Sequence, residues 1–209
     1  MWGVVCRWIL APLVFRALVN KRELHGLLVA EGPHRRFQDE GFHDAVAEAL
    51  DVLERYDPRR FARVGRNLRA ICNGPLASTA LYQPHTGICW IDMSRFESWR
   101  GEAALAVLLA ATIVHEATHG ELRRLARTRR NLREEAICHR EEWRCFKLLA
   151  SRAGIEVSQE WLEEVQQFDP SWHREYYARP WLAHLREQWR RIYGAEGFWG
   201  SLRREWGEG

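Results

Sequence analysis

His115, Glu116 and His119 stand in the stretch Ile113-Val114-His115-Glu116-Ala117-Thr118-His119-Gly120, and side chains of these types at this spacing can hold a metal. On a helix, residues four apart differ by about 40° around the axis, so His115 and His119 project from one face, one turn apart. Two imidazoles so placed can grip one Zn²⁺, while Glu116, about 100° round, reaches a water on the metal. The plainer alternative is a buried helix whose histidines are satisfied by core hydrogen bonds. Two histidines and a glutamate inside an apolar run carry a desolvation cost that a metal would offset, and this favours the metal.

The elements that must position these residues are legible nearby. The run Ala103 to Val114 is apolar and no Pro or Gly interrupts Glu102 to His119, which predicts one buried helix beginning near Gly101. Upstream, Phe42, Val46, Ala49, Leu53 and Tyr56 recur at helical spacing, so a helix is expected to end near Tyr56. Asp57-Pro58 reads as an N-cap with Pro at the first helical position, opening a short turn or helix through Phe61. Strand character runs from Asn67 to Cys72. A hairpin signal follows, with Ser78–Tyr82 and Ile88–Met93 joined by the turn Gln83-Pro84-His85-Thr86-Gly87. Ser94 or Ser98 can cap what comes next. Downstream, Leu132 to Ala153 predicts a second long helix, with Leu132, Glu135, Ala136, His139, Trp143, Phe146 and Ala150 on one face and Gly154 as its C-cap. Strands followed by helices in this order predict an α+β fold, with helices packed on one face of a small antiparallel sheet.

With its H-E-x-x-H on a buried helix, the chain resembles the zincin metallopeptidases, as a small bacterial-type peptidase. The resemblance covers roughly Leu68 to Ala153. Metzincins continue with a Gly and a His where this chain has Leu122 and Leu125, so the resemblance implies the gluzincin-like arrangement, in which a Glu of the next helix completes the site. Glu134, Glu135, Glu141, Glu142 and His139 are the candidates there. Glu135, alone on an apolar face, is favoured as the third ligand, and Glu142, on the face of Cys138 and Cys145, is the other choice. Glu134 and Glu141 are expected to face an Arg-rich solvated side. His139 is read either as a support for a ligand or as a satisfied core histidine.

The resemblance implies a zinc-dependent hydrolase acting on peptide or protein substrates. His115, His119 and Glu135 would hold Zn²⁺, and Glu116 would act as general base. It also implies that the strand Ile88-Cys89-Trp90-Ile91-Asp92 borders the cleft. Gluzincins supply a Tyr or His to the oxyanion; no motif marks one here, and His173, Tyr176, Tyr177, His184 and Tyr82 are available. That gap, with the Trp-rich C-terminal part, supports an alternative: a catalytically inactive zincin-like protein-interaction module.

Composition bounds the rest. A chain of 209 residues fits one domain, read as a docking segment (1–40), a zincin-like core (41–154) and a Trp-rich helical extension (155–209). The net charge of +3 is modest and Arg and Glu are interspersed, which speaks against a nucleic-acid partner. The basic cluster Arg123, Arg124, Arg127, Arg129, Arg130 and Arg133 reads as a solvated helix end and loop. Five cysteines without C-x-x-C spacing read as reduced, mostly buried thiols of a cytoplasmic protein. Cys138 and Cys145 are expected to be packing residues. Trp8 to Phe15 is too short to span a membrane and reads as a docking segment. Helices beginning near Ser158 and after Pro180 would form a lid or a homodimer surface, with membrane association the weaker reading.

Overall fold

The computed structural model describes residues 15–16, 18–32, 38–76, 78–126 and 132–156. The expectations for residues 8–14, for the 127–131 loop and for the Trp-rich helices, together with Cys6, His173, Tyr176, Tyr177 and His184, lie outside them.

The described residues form an α+β structure. In chain order they are β1 (Val19–Leu24), β2 (Leu27–Glu31), α1 (Phe42–Tyr56), α2 (Pro58–Asn67), β3 (Ala70–Asn73), β4 (Ala80–Gln83), β5 (Ile88–Ile91), a 3-10 helix (Met93–Trp99), α3 (Ala104–Ala126) and α4 (Leu132–Ala153). One five-stranded sheet has the order β1-β2-β3-β5-β4. Its centre is parallel, β2 with β3 and β3 with β5, and only the outer pairs β1–β2 and β4–β5 are antiparallel. The expected antiparallel sheet is therefore corrected to a mixed one. The cause is α1 and α2, which carry the chain from β2 back to start β3 alongside it, as a parallel crossover requires. β1 and β2, a hairpin inside the stretch read as a docking segment, supply two of the five strands.

Register divides the sheet into two faces. Val29, Ile71 and Cys89 lie abreast and join a core with Phe42, Val46, Leu50 and Leu53 of α1. Val107, Ala110, Ile113, Val114 and Ala117 of α3 and Phe146 and Leu149 of α4 complete this core. Ala30, Ala70, Cys72 and Ile88 turn the other way, into a smaller cluster with Leu18. All four residues of β3 are buried, as expected of a strand covered on both faces. The helices thus share one face of the sheet, and α3 is the element buried deepest between sheet and helices.

Several local signals act as read. Asp57 caps α2, its carboxylate accepting the Arg60 N–H at 3.1 Å, although the helix continues past Phe61 to Asn67. Gly154 follows α4 with φ +68°, a conformation in which a Cβ would be strained. The hairpin forms with β4 and β5 in antiparallel register. Ser94 caps nothing. Asp92 takes that place, accepting the Ser94 N–H at 3.2 Å and its hydroxyl at 2.6 Å. The 3-10 helix that results delays the start of α3 to Ala104.

An ion cluster fixes α2 against both site helices. Arg63 reaches Glu121 of α3 at 2.8 Å and Glu141 of α4 at 3.1 Å, and Arg60 reaches Glu141 at 3.2 Å. Burial alone would raise the Glu141 pKa; Arg63, Arg60 and Arg144 outweigh it and hold the carboxyl below its usual range. Helix α3 also passes very close to its neighbours at Gly120. A Cβ there would lie 3.0 Å from the Asn67 Cβ, 3.1 Å from the Asn67 carbonyl oxygen and 3.3 Å from the Tyr82 Cζ.

Candidate metal centre

His115 and His119 face α4, and every one of their ring nitrogens has a neighbour. The two Nε2 atoms are 3.2 Å apart. One carboxylate oxygen of Glu135 lies 3.6 Å from the His115 Nε2 and 3.3 Å from the His119 Nε2. A tetrahedral Zn²⁺ with nitrogen and oxygen donors at about 2.0–2.1 Å sets those donors about 3.3–3.4 Å apart. The three atoms therefore form a triangle with the edge lengths of a metal's ligand face.

The opposite nitrogens are held by carboxylates. His115 Nδ1 pairs with Glu142 at 2.8 Å, and His119 Nδ1 pairs with Glu134 at 2.8 Å. A carboxylate on Nδ1 fixes the ring's orientation and its tautomer, leaving Nε2 as the donor to a metal. Glu142 also takes a hydrogen bond from the Thr112 hydroxyl at 3.3 Å and lies 3.2 Å from His139 Nδ1.

These contacts separate the candidates on α4. Glu135 is brought to the His pair. Glu142 is brought to the back of His115, away from the Nε2 triangle. Glu134 corrects the expectation of a solvated position: it is buried, 3% exposed, behind His119 with Arg123 at 3.5 Å. Glu141 does form ion pairs, with Arg60, Arg63 and Arg144. His139 stacks edge-on against His115, with ring centroids 4.7 Å apart, and supports Glu142. Cys145 is buried in the apolar core. Cys138 is not only packing, because its sulfur and a ring nitrogen from each of His115 and His119 all lie within 4.8 Å of one another.

Glu116 is 5% exposed, and its Oε2 has no hydrogen-bond partner among the described residues. A buried carboxylate oxygen left unpaired is costly, so a water or a bound group is the natural complement to it. The charge balance points the same way. Burial opposes protonation of His115, but Glu142 and Glu135 outweigh it and raise its pKa well above the ordinary range. His119 is raised by Glu134 and Glu135 against the same burial. Glu142 is pulled down to about 2 by His115 and His139, although burial alone would raise it. Four carboxylates around three imidazoles form an anionic pocket suited to a divalent cation.

The strand expected to border the cleft is also corrected. β5 (Ile88–Ile91) lies inside the sheet with β3 and β4 on its two sides, so its backbone groups are already paired. Among the described residues the outermost strand on that side is β4, whose Tyr82 approaches Gly120 beside His119. A separate concavity of about 550 Å³ lies at the ends of β3 and β5, lined in part by Asn73, Asp92, Arg95 and Arg100. Its three carboxylates are engaged by neighbours: Asp92 accepts the Leu76 N–H, and Asp39 and Glu97 pair with Arg100, while Asn73 accepts the Met93 N–H.

No helix of the described residues is long and apolar enough to cross a membrane. In comparisons with protein-family models, curated proteins and solved structures, the chain matches none.

Proposed function

We propose that this protein is a zinc-dependent peptide-bond hydrolase with a zincin-like, gluzincin-type centre. The observation that carries this reading is the triangle of His115 Nε2, His119 Nε2 and Glu135 Oε2, with edges of 3.2, 3.3 and 3.6 Å. Zinc held there would supply a Lewis acid that polarises a carbonyl and makes water acidic near neutral pH.

The chain's own residues do the rest. Glu142 and Glu134 hold the two imidazoles in the tautomer that presents Nε2. Glu116, whose Oε2 has no partner among the described residues, would take the proton of the attacking water and return it to the leaving amine. β4, the outermost strand among the described residues on the side next to α3, is the edge along which an extended peptide would lie. The order of elements supports the zincin-like assignment: sheet, edge strand, buried H-E-x-x-H helix, then a glutamate-bearing helix packed on it.

The test is to load wild type and Glu116→Gln with zinc, measure their metal content, and expose both to a broad peptide library. Equal zinc in both, with cleavage reduced about 10²–10⁴-fold in the variant, is expected of a lost general base. Unchanged cleavage in the variant would remove Glu116 from the chemistry. A loaded wild type inert toward the whole library would favour the interaction module.

A further inference from the structure

The centre holds more donors than a single three-ligand site uses. On α4, Glu135 and Cys138 are three residues apart and so lie on one face of the helix, the face turned to His115 and His119. The Cys138 sulfur groups with both imidazoles within 4.8 Å, and Cys138 is fully buried. Zn–S bonds of about 2.3 Å place a sulfur about 3.6 Å from each nitrogen donor in a tetrahedral site, a contraction of at most about 1.2 Å from the observed limit. Glu116, next to His115 on α3, has a buried carboxylate oxygen with no hydrogen-bond partner among the described residues.

We infer that Cys138 is a sulfur ligand of this centre, so that the His115–His119 pair can take a thiophilic cation with the Cys138 thiolate as well as a harder one with Glu135. On binding, a sulfur–metal bond forms, the thiol proton passes to solvent and one water leaves the cation; no electrons are exchanged. Soft donors select Zn²⁺, Co²⁺ and Cd²⁺ over Mn²⁺ and Mg²⁺, and the carboxylate one turn earlier offers the opposite preference. The inference rests on the reading that His115 and His119 hold a metal.

Titration of the whole protein with Co²⁺ separates the two. Visible d–d bands report cobalt in a low-symmetry protein site whatever its donors, while a near-ultraviolet sulfur-to-cobalt band appears only with a thiolate ligand. Wild type is expected to show both. Cys138→Ser and Cys138→Ala are expected to keep the visible bands and lose the near-ultraviolet one. Visible bands without the sulfur band in wild type would overturn Cys138 ligation and leave the His115, His119, Glu135 reading standing. A sulfur band that survives in both variants would assign it to another cysteine and overturn the inference. Absence of both bands in wild type would overturn the inference together with the metal reading. Wild type alone decides the first and third outcomes, so a variant that fails to fold does not shield the inference.

Discussion

His119 is clamped between two neighbouring glutamates of one helix: its Nδ1 lies 2.8 Å from Glu134 and its Nε2 lies 3.3 Å from Glu135. One carboxylate thus orients the ring and the next shares its donor side. Removing the orienting partner leaves the donors in place but loosens them. Glu134→Ala and Glu142→Ala are each expected to lower zinc affinity about 10–100-fold while retaining one site. Competition against a chromophoric chelator checks this, and an affinity equal to wild type in both would show that the Nδ1 contacts do not support metal binding.

The same charges set a pH dependence. In the metal-free protein His115 and His119 bind protons more tightly than in an unfolded chain, whose ordinary value is 6.5. Their contribution to stability is therefore full below about 6.5 and is lost as pH rises through the raised folded values. Glu142 works in the opposite sense. Held at about 2 against an ordinary 4.5, it stabilises above 4.5, and that stability is lost as pH falls toward 2. Zinc must displace the imidazole protons, so the rise in melting temperature on adding zinc should grow as pH increases from 6 to 8. A zinc-induced shift that is flat across that range would contradict protonated, carboxylate-paired histidines.

Gly120 makes the close approach of α3 to α2 and β4 possible. The Cβ of Gly120→Ala would meet the Asn67 Cβ and carbonyl oxygen at 3.0 and 3.1 Å, and the backbone oxygen cannot swing aside as a side chain can. Overpacking of this kind costs about 1–3 kcal/mol, and the displaced residue adjoins His119. Thermal unfolding should show a lower Tm and chelator competition a weaker site. A variant as stable as wild type would mean that the helices part without cost.

Much of this was legible in the sequence where the signal is local. The apolar run before His115, the Asp57-Pro58 cap, the turn at 84–87 and Gly154 each act through neighbours in the chain, and helices α1, α3 and α4 appear where they were expected. Parallel pairing was not legible, because which strands lie beside β3 is decided by how α1 and α2 return the chain. β1 was hidden by its own composition, since Lys21-Arg22-Glu23 carries no apolar alternation and is exposed. Within the site, Glu135 could be picked out by the apolar face it interrupts. Glu134 could not, because its neighbours Arg130 and Arg133 suggest solvent, whereas the second nitrogen of a buried histidine demands a carboxylate that only the packing of α3 on α4 reveals. Cys138 was obscured in the same way, by a spacing equally suited to packing.

The central claim is that His115, His119 and Glu135 hold one metal together. Elemental analysis of purified wild type, Glu142→Ala, Cys138→Ala and the double variant Cys138→Ala with Glu135→Ala, each equilibrated with zinc and desalted, tests it most directly. The account predicts about one zinc in wild type, Glu142→Ala and Cys138→Ala, where Glu135 remains, and its loss in the double variant, where only the two imidazoles are left. No zinc in wild type, or full retention in the double variant, would contradict it.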